Sequence, residues 1–173
     1  MNSMKSKVKA LIITGFGINC EEEMAAAYVL SGALPEIIHI NELFEEKFFL
    51  RDFDILNLPG GFSFGDDLGS GKVLANKIKF KKLRSGKSLI DELALFLKQG
   101  KFILGICNGF QVLVKMGLLP NIEGNLTQEV TLTRNDSGRF IDKWCKCVVD
   151  SDKTGFFEGI SEIDLPIRHG EGK

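Results

Sequence analysis

Leu104-Gly105-Ile106-Cys107-Asn108-Gly109-Phe110 is the stretch on which the reading of this chain turns. Before it, Lys101 to Ile106 is an apolar run of strand length; after it, Phe110, Val112, Leu113 and Met116 recur at helical spacing. A cysteine with glycine two residues before and two residues after, at a strand-to-helix junction, is the thiol form of a nucleophile elbow. The glycines tolerate the crowding of so sharp a turn. A thiol placed before a helix N-terminus also meets a dipole that favours thiolate, the form that attacks carbonyl carbon. The plain alternative is a small buried cysteine closing a strand, because free cysteine is among the most buried residue types.

Outward from the elbow, apolar runs alternate with helical patterns. Val8 to Thr14, Ile37 to Ile40, Asp54 to Leu58 and Lys101 to Ile106 read as buried strands, and Glu21 to Ser31 and Leu89 to Gln99 as helices. Such alternation predicts an α/β fold: an open, mostly parallel sheet with helices on both faces, whose ligands sit at the carboxyl ends of the strands. Glycines gather at those ends, at Gly15 and Gly17, Gly60 and Gly61, Gly105 and Gly109. Leu58-Pro59-Gly60-Gly61-Phe62 follows the third strand, so its amides are expected beside the elbow. Acyl transfer builds negative charge on the carbonyl oxygen, and the amides of Gly61 and Asn108 are the expected pair to receive it. An ordinary Pro-Gly turn is the alternative. After residue 120, Gln128 to Thr133 and Lys143 to Val149 read as strands around Asn135-Asp136-Ser137-Gly138, a β-ribbon following the elbow helix.

The whole chain sets bounds. At 173 residues, 44% hydrophobic and 26% charged, residues 1–173 have the length and composition of one globular domain with a real core. A net charge of −1 gives no general pull toward nucleic acid or anionic lipid. Ala10 to Ile13 is too short for a signal sequence, and no run approaches the roughly 20 apolar residues of a membrane span. Cys20, Cys107, Cys145 and Cys147 lack paired spacing; Cys145-Lys-Cys147 is one residue short of C-x-x-C and suggests neither disulfide nor metal site. A reducing, cytoplasmic setting is expected. Lys72, Lys77, Lys79, Lys81, Lys82, Arg84 and Lys87 crowd the region before the second helix. They read as a solvated helix face or surface loop, with binding of phosphate or docking to an acidic subunit as the functional alternative and with too few aromatics for single-stranded nucleic acid.

Pro59-Gly60-Gly61-Phe62-Ser63-Phe64-Gly65-Asp66 and Gly105-Ile106-Cys107-Asn108-Gly109-Phe110-Gln111 together resemble the glutaminase component of phosphoribosylformylglycinamidine synthases, within the class I glutamine amidotransferases, whose fold is flavodoxin-like. Thr14-Gly15-Phe16-Gly17-Ile18-Asn19-Cys20, Asn135-Asp136-Ser137-Gly138-Arg139-Phe140 and Arg168-His169-Gly170-Glu171-Gly172-Lys173 extend the resemblance over nearly the whole chain. It implies a chain that releases ammonia from glutamine with Cys107 as nucleophile. Gly60, Phe62, Gln111 and His169 would hold the substrate. It also implies partners: a synthetase subunit carrying ATP and magnesium, and a small accessory subunit. No cofactor or metal is expected in this chain, which shows no Walker A loop.

One departure matters. A thiol nucleophile needs a base and an orienting acid, and the histidines are His39, inside an apparent strand, and His169. His169 and Glu171 offer base-and-orienter spacing. In the family, however, that pair comes from a later His-Pro-Glu segment, and the His-Gly-Glu-Gly segment only lines the site. His169 is therefore expected to line the site, and the resemblance implies a domain incomplete at its C-terminus, with weak turnover and poor solubility. The other classes to weigh are a cysteine-elbow hydrolase or deglycase, which lacks the Asn-Gly-Phe-Gln run, and a non-catalytic binding subunit.

Overall fold

The computed structural model describes residues 7–150 and 157–173, which fall into two compact units, 1–131 and 132–173. In the first, β1 (Lys9–Thr14), β2 (Leu34–His39), β3 (Ile55–Leu58) and β4 (Phe102–Gly105) form one parallel sheet in the order β2-β1-β3-β4. β1 lies inside the sheet, and its Ala10, Leu11, Ile12 and Ile13 are all inaccessible to solvent. That is why it reads as an unbroken apolar run rather than an alternation. β2 carries Pro35, which has no amide to give a second neighbour, and it lies at the sheet edge.

Side chains alternate across a strand, so Leu11 and Ile13 face opposite to Ala10 and Ile12. Leu11, Ile13, Leu56 and Leu58 enter the main hydrophobic cluster with residues of α2 (Ile40–Phe44), α3 (Lys72–Phe80), α4 (Leu89–Lys98) and α5 (Asn108–Met116). α1 (Glu21–Leu30) packs on β1 and β2 outside that cluster. The expected strands of this sheet and two expected helices therefore stand close to where the apolar runs placed them, except that β2 begins at Leu34 rather than Ile37 and gives up Ile40 to α2. The basic stretch holds one more helix, α3, which buries Leu74, Ala75 and Ile78 while its lysines face outward or over aromatic rings. Among the described residues no helix is long and apolar enough to cross a membrane.

The second unit is a two-stranded antiparallel ribbon of β5 (Ile141–Val148) and β6 (Glu162–His169), registered from Ile141↔His169 to Val148↔Glu162. The ribbon is real, but its expected partner strand was wrong. Residues 128–133 form no strand, and Thr133 and Arg134 pair instead with Lys173 and Glu171. The cause is local. Asn135 Nδ2 donates to the carbonyls of Arg139 and His169, closing 135–139 as its own turn and tying it to the end of β6. Cys145 and Cys147 stand on β5 opposite Leu165 and Ile163, and no metal-holding group of His, Cys, Asp or Glu occurs among the described residues.

Candidate active site

Cys107 occupies the turn between β4 and α5, solvent-exposed, with φ 53° and ψ −111°. A non-glycine residue there is strained and persists only where its surroundings over-determine it. Its surroundings do. Ile106 N donates to Leu58 O at 3.1 Å, Gly109 N to Ile106 O at 2.9 Å, and Gln111 N to Cys107 O at 3.1 Å. Gly109 lies so close to β3 that a Cβ built on it would stand 1.8 Å from Leu58 O. The glycine after the cysteine is thus a packing requirement of helix against strand.

The loops after β1 and β3 are zipped together at the same end of the sheet, flanking the point where strand order reverses. Phe62 N donates to Gly17 O at 2.9 Å and Asn19 N to Gly60 O at 3.3 Å. Gly61, at φ 134°, has no room for a side chain, since its Cβ would lie 2.6 Å from Gly17 O. At Gly60 a Cβ would stand 3.5 Å from both Cys107 Cβ and Cys20 Sγ, so this glycine separates two cysteines. The Cys20 thiol is pushed up in pKa, first by burial and then by electrostatic repulsion from Glu23, Cys107 and Glu21. Phe62, Ile106 and Phe110 remain substantially exposed.

Asn108 is buried, and its side chain works away from solvent. Its Oδ1 accepts from Ser63 N at 3.1 Å, and its Nδ2 donates to Asp66 Oδ1 at 3.0 Å and to Gln111 Oε1 at 3.1 Å. Asp66 Oδ1 also accepts from Gly71 N at 3.1 Å. Gln111, expected to touch substrate, is buried and engaged in this cluster.

His39 ends β2 and caps α2, its Nδ1 accepting from Asn41 N at 3.1 Å. Phe16 meets its ring edge-on at 5.1 Å and stacks on Phe64 at 4.5 Å, while Lys77 Nζ sits 3.7 Å above the Phe16 ring. Burial, then repulsion from Lys81, lowers the Lys77 pKa. His169 and Glu171 belong to the second unit. His169 Nδ1 lies 2.9 Å from Asn135 Oδ1, and Gly172 packs so tightly on the imidazole that a Cβ there would be 2.2 Å away.

The structure therefore brings Cys107, Gly60, Asn108 and Gln111 together with the Gly61-Phe62 turn. Sequence reasoning missed Cys20, Ser63 and Asp66 as parts of this neighbourhood. The Gly65-Asp66 dipeptide was a turn signal that could have marked the last of these.

The site therefore presents a thiol at a strained strand-to-helix turn beside a paired-glycine loop. The model of the CobB/CobQ-like glutamine amidotransferase domain matches residues 7–173. The chain belongs to that family. Relatives within it include the phosphoribosylformylglycinamidine synthase subunit PurQ of Dehalococcoides mccartyi, 45% identical over 97% of this chain and 63% of the relative. The PurQ subunit of Thermotoga maritima is 36% identical over 96% of this chain and 68% of the relative. Among solved structures, that of PurLQS from Thermotoga maritima superposes with a TM-score of 0.73 at 33% identity, over 97% of this chain and 69% of that one. The resemblance drawn from the elbow and paired-glycine motifs and the parallel α/β fold are both borne out by this glutamine amidotransferase family. The chain spans 58–63% of the length of the first relatives it matches.

Proposed function

We propose that this chain is the glutamine-hydrolysing component of a phosphoribosylformylglycinamidine synthase, supplying ammonia for ATP-dependent conversion of formylglycinamide ribonucleotide to the amidine in purine synthesis. The observation that carries the reading is Cys107, exposed at φ 53° ahead of α5 and abutting the Gly60-Gly61 loop. The names of the relatives supply the pathway.

In the proposed reaction the Cys107 sulfur bonds to the carboxamide carbon of glutamine. The carbonyl electrons move to oxygen, which the amides of Gly61 and Asn108 receive. Collapse of this intermediate breaks the C–N bond, the thiol proton leaves with the nitrogen as ammonia, and water then hydrolyses the glutamyl thioester to glutamate and free thiol. Gly60 leaves space beside the sulfur for the substrate, Phe62 flanks it, and Gln111 supports the floor through Asn108. ATP and magnesium are expected on a partner synthetase subunit, a small accessory subunit is a further expected partner, and the setting is read as cytoplasmic.

Glutamate release from glutamine, measured with and without a synthetase subunit, tests this. Wild type is expected to release glutamate, weakly on its own, and Cys107→Ala to release none above background. Undiminished release by Cys107→Ala would reject Cys107 as the nucleophile.

A further inference from the structure

Between the paired glycines and α3 the backbone does something expensive. Phe64, Gly65 and Asp66 are three consecutive residues in the left-handed region, at φ 56°, 69° and 55°. Gly65 takes that conformation freely, but Phe64 and Asp66 are L residues strained in it, and holding both so close together needs external fixation. The fixation comes from α5. Asn108 holds the run at both ends, accepting from Ser63 N and donating to Asp66 Oδ1, and Asp66 Oδ1 in turn receives Gly71 N at the start of α3.

We propose that Asp66 is a positioning residue for amide hydrolysis: through Asn108 it locks the loop that carries Gly61 to the first turn of α5, fixing the two amides that receive the oxyanion relative to one another. This deepens the glutaminase reading and rests on it. The chain of contacts begins two residues after Gly61, passes through the buried Asn108 side chain, and ends on the residue whose own amide is the second donor. An apolar side chain at 66 could fill the space but could not bridge Gly71 N and Asn108 Nδ2. Donors set for an oxyanion are worth most when fixed before the charge appears, and a displacement of about 1 Å can cost a hundredfold. Gln111 takes the other hydrogen of Asn108 Nδ2, which leaves the amide one orientation in which all of these bonds are made.

The test separates donor geometry from thiol reactivity. A chloroketone analogue of glutamine labels Cys107 when the sulfur displaces chloride from the carbon next to a ketone whose oxygen rests on the donors, whereas iodoacetamide alkylates by displacement of iodide and needs no donors. Labelling of the Cys107 peptide is followed by mass spectrometry alongside the melting temperature. Asp66→Gly keeps the left-handed backbone and removes the carboxylate. It is expected to slow chloroketone labelling by about tenfold or more while iodoacetamide labelling stays within about twofold. Asp66→Asn retains the acceptor and the left-handed tolerance, and is expected to recover chloroketone labelling to within about threefold of wild type. If Asp66→Gly leaves both rates unchanged, or lowers both together with the melting temperature, the positioning role is overturned. Wild-type Cys107 that the chloroketone fails to label rejects the glutaminase reading itself, a result distinct from a labelled wild type with an unaffected variant.

Discussion

The two units of this chain are held together by different means. Every residue of the hydrophobic cluster lies between Leu11 and Leu118, whereas the sole buried residue among those described in the second unit is Asn135. The first unit draws its stability from apolar burial and close backbone approach. The second relies on a hydrogen-bonded ladder, one asparagine-centred turn and exposed ion pairs. The difference teaches where a substitution should matter. A residue in the first unit acts against neighbours that cannot move; one in the second acts mostly against water.

A matched pair of glycine substitutions puts the largest strain on this contrast. Gly109→Ala places a methyl group 1.8 Å from the Leu58 carbonyl, which is strand backbone. Alanine would gain nearly 1 kcal/mol in helix propensity, but α5 can accept it only by leaving β3, and the net loss is expected to be about 3 kcal/mol. Gly170→Ala finds its nearest neighbour at 3.9 Å, the Phe140 ring, and is expected to shift stability by no more than about 0.5 kcal/mol. Urea unfolding of the two variants beside wild type decides the matter, and equal losses would erase the distinction between the units.

A polar group buried without a partner is the next place to probe the first unit. The Tyr28 hydroxyl on α1 is shielded and has no hydrogen-bond partner among the described residues, and burial pushes its pKa up to about 12 from an ordinary 10. With the folded pKa raised, this contribution is fully present below about pH 10 and is lost as pH climbs through about 12. Two pKa units would correspond to about 2.7 kcal/mol; because the residue is only partly buried and solvent screens it, a loss of about 1 kcal/mol is expected. Tyr28 is the chain's one tyrosine, so its absorbance titration reads this group alone. A midpoint near 10 would show that α1 covers it less than the structure indicates. Tyr28→Phe should remove the alkaline loss.

The same contrast explains what could be read in the sequence. The four parallel strands and the helices α1 and α4 were legible because a buried element declares itself by its apolar run or its period. The elbow was legible because glycines at fixed offsets from Cys107 answer a steric demand visible in one dimension. α3 was only half legible, as a solvated helix face or a loop, because its lysines match in number the Leu74, Ala75 and Ile78 stripe that packs inward. β6 was hidden because Asp164 and Pro166 argue against a strand, and only a two-stranded ribbon with open edges tolerates them there. Cys20 beside Cys107 and Asp66 bound to Asn108 were invisible for another reason. Both are meetings of loops that follow different strands, and no local pattern encodes which loops will touch.

The smallest effect is expected in the ribbon. Asp142 and Arg168 stand directly opposite each other on β5 and β6 with Arg168 Nε 2.9 Å from Asp142 Oδ1, yet their side chains are 59% and 67% exposed. Opposed charges on a ladder favour its register, but in water the attraction is offset by the entropy of holding two long side chains. A double-mutant cycle with Asp142→Asn and Arg168→Gln should give a coupling below about 1 kcal/mol, falling toward zero in about 1 M salt, where screening acts within about 3 Å. A coupling of 2 kcal/mol or more that survives salt, roughly twice that ceiling, would mean that the pair is shielded from water. The ribbon would then be held by buried interactions as the first unit is, and the contrast between the two would fail.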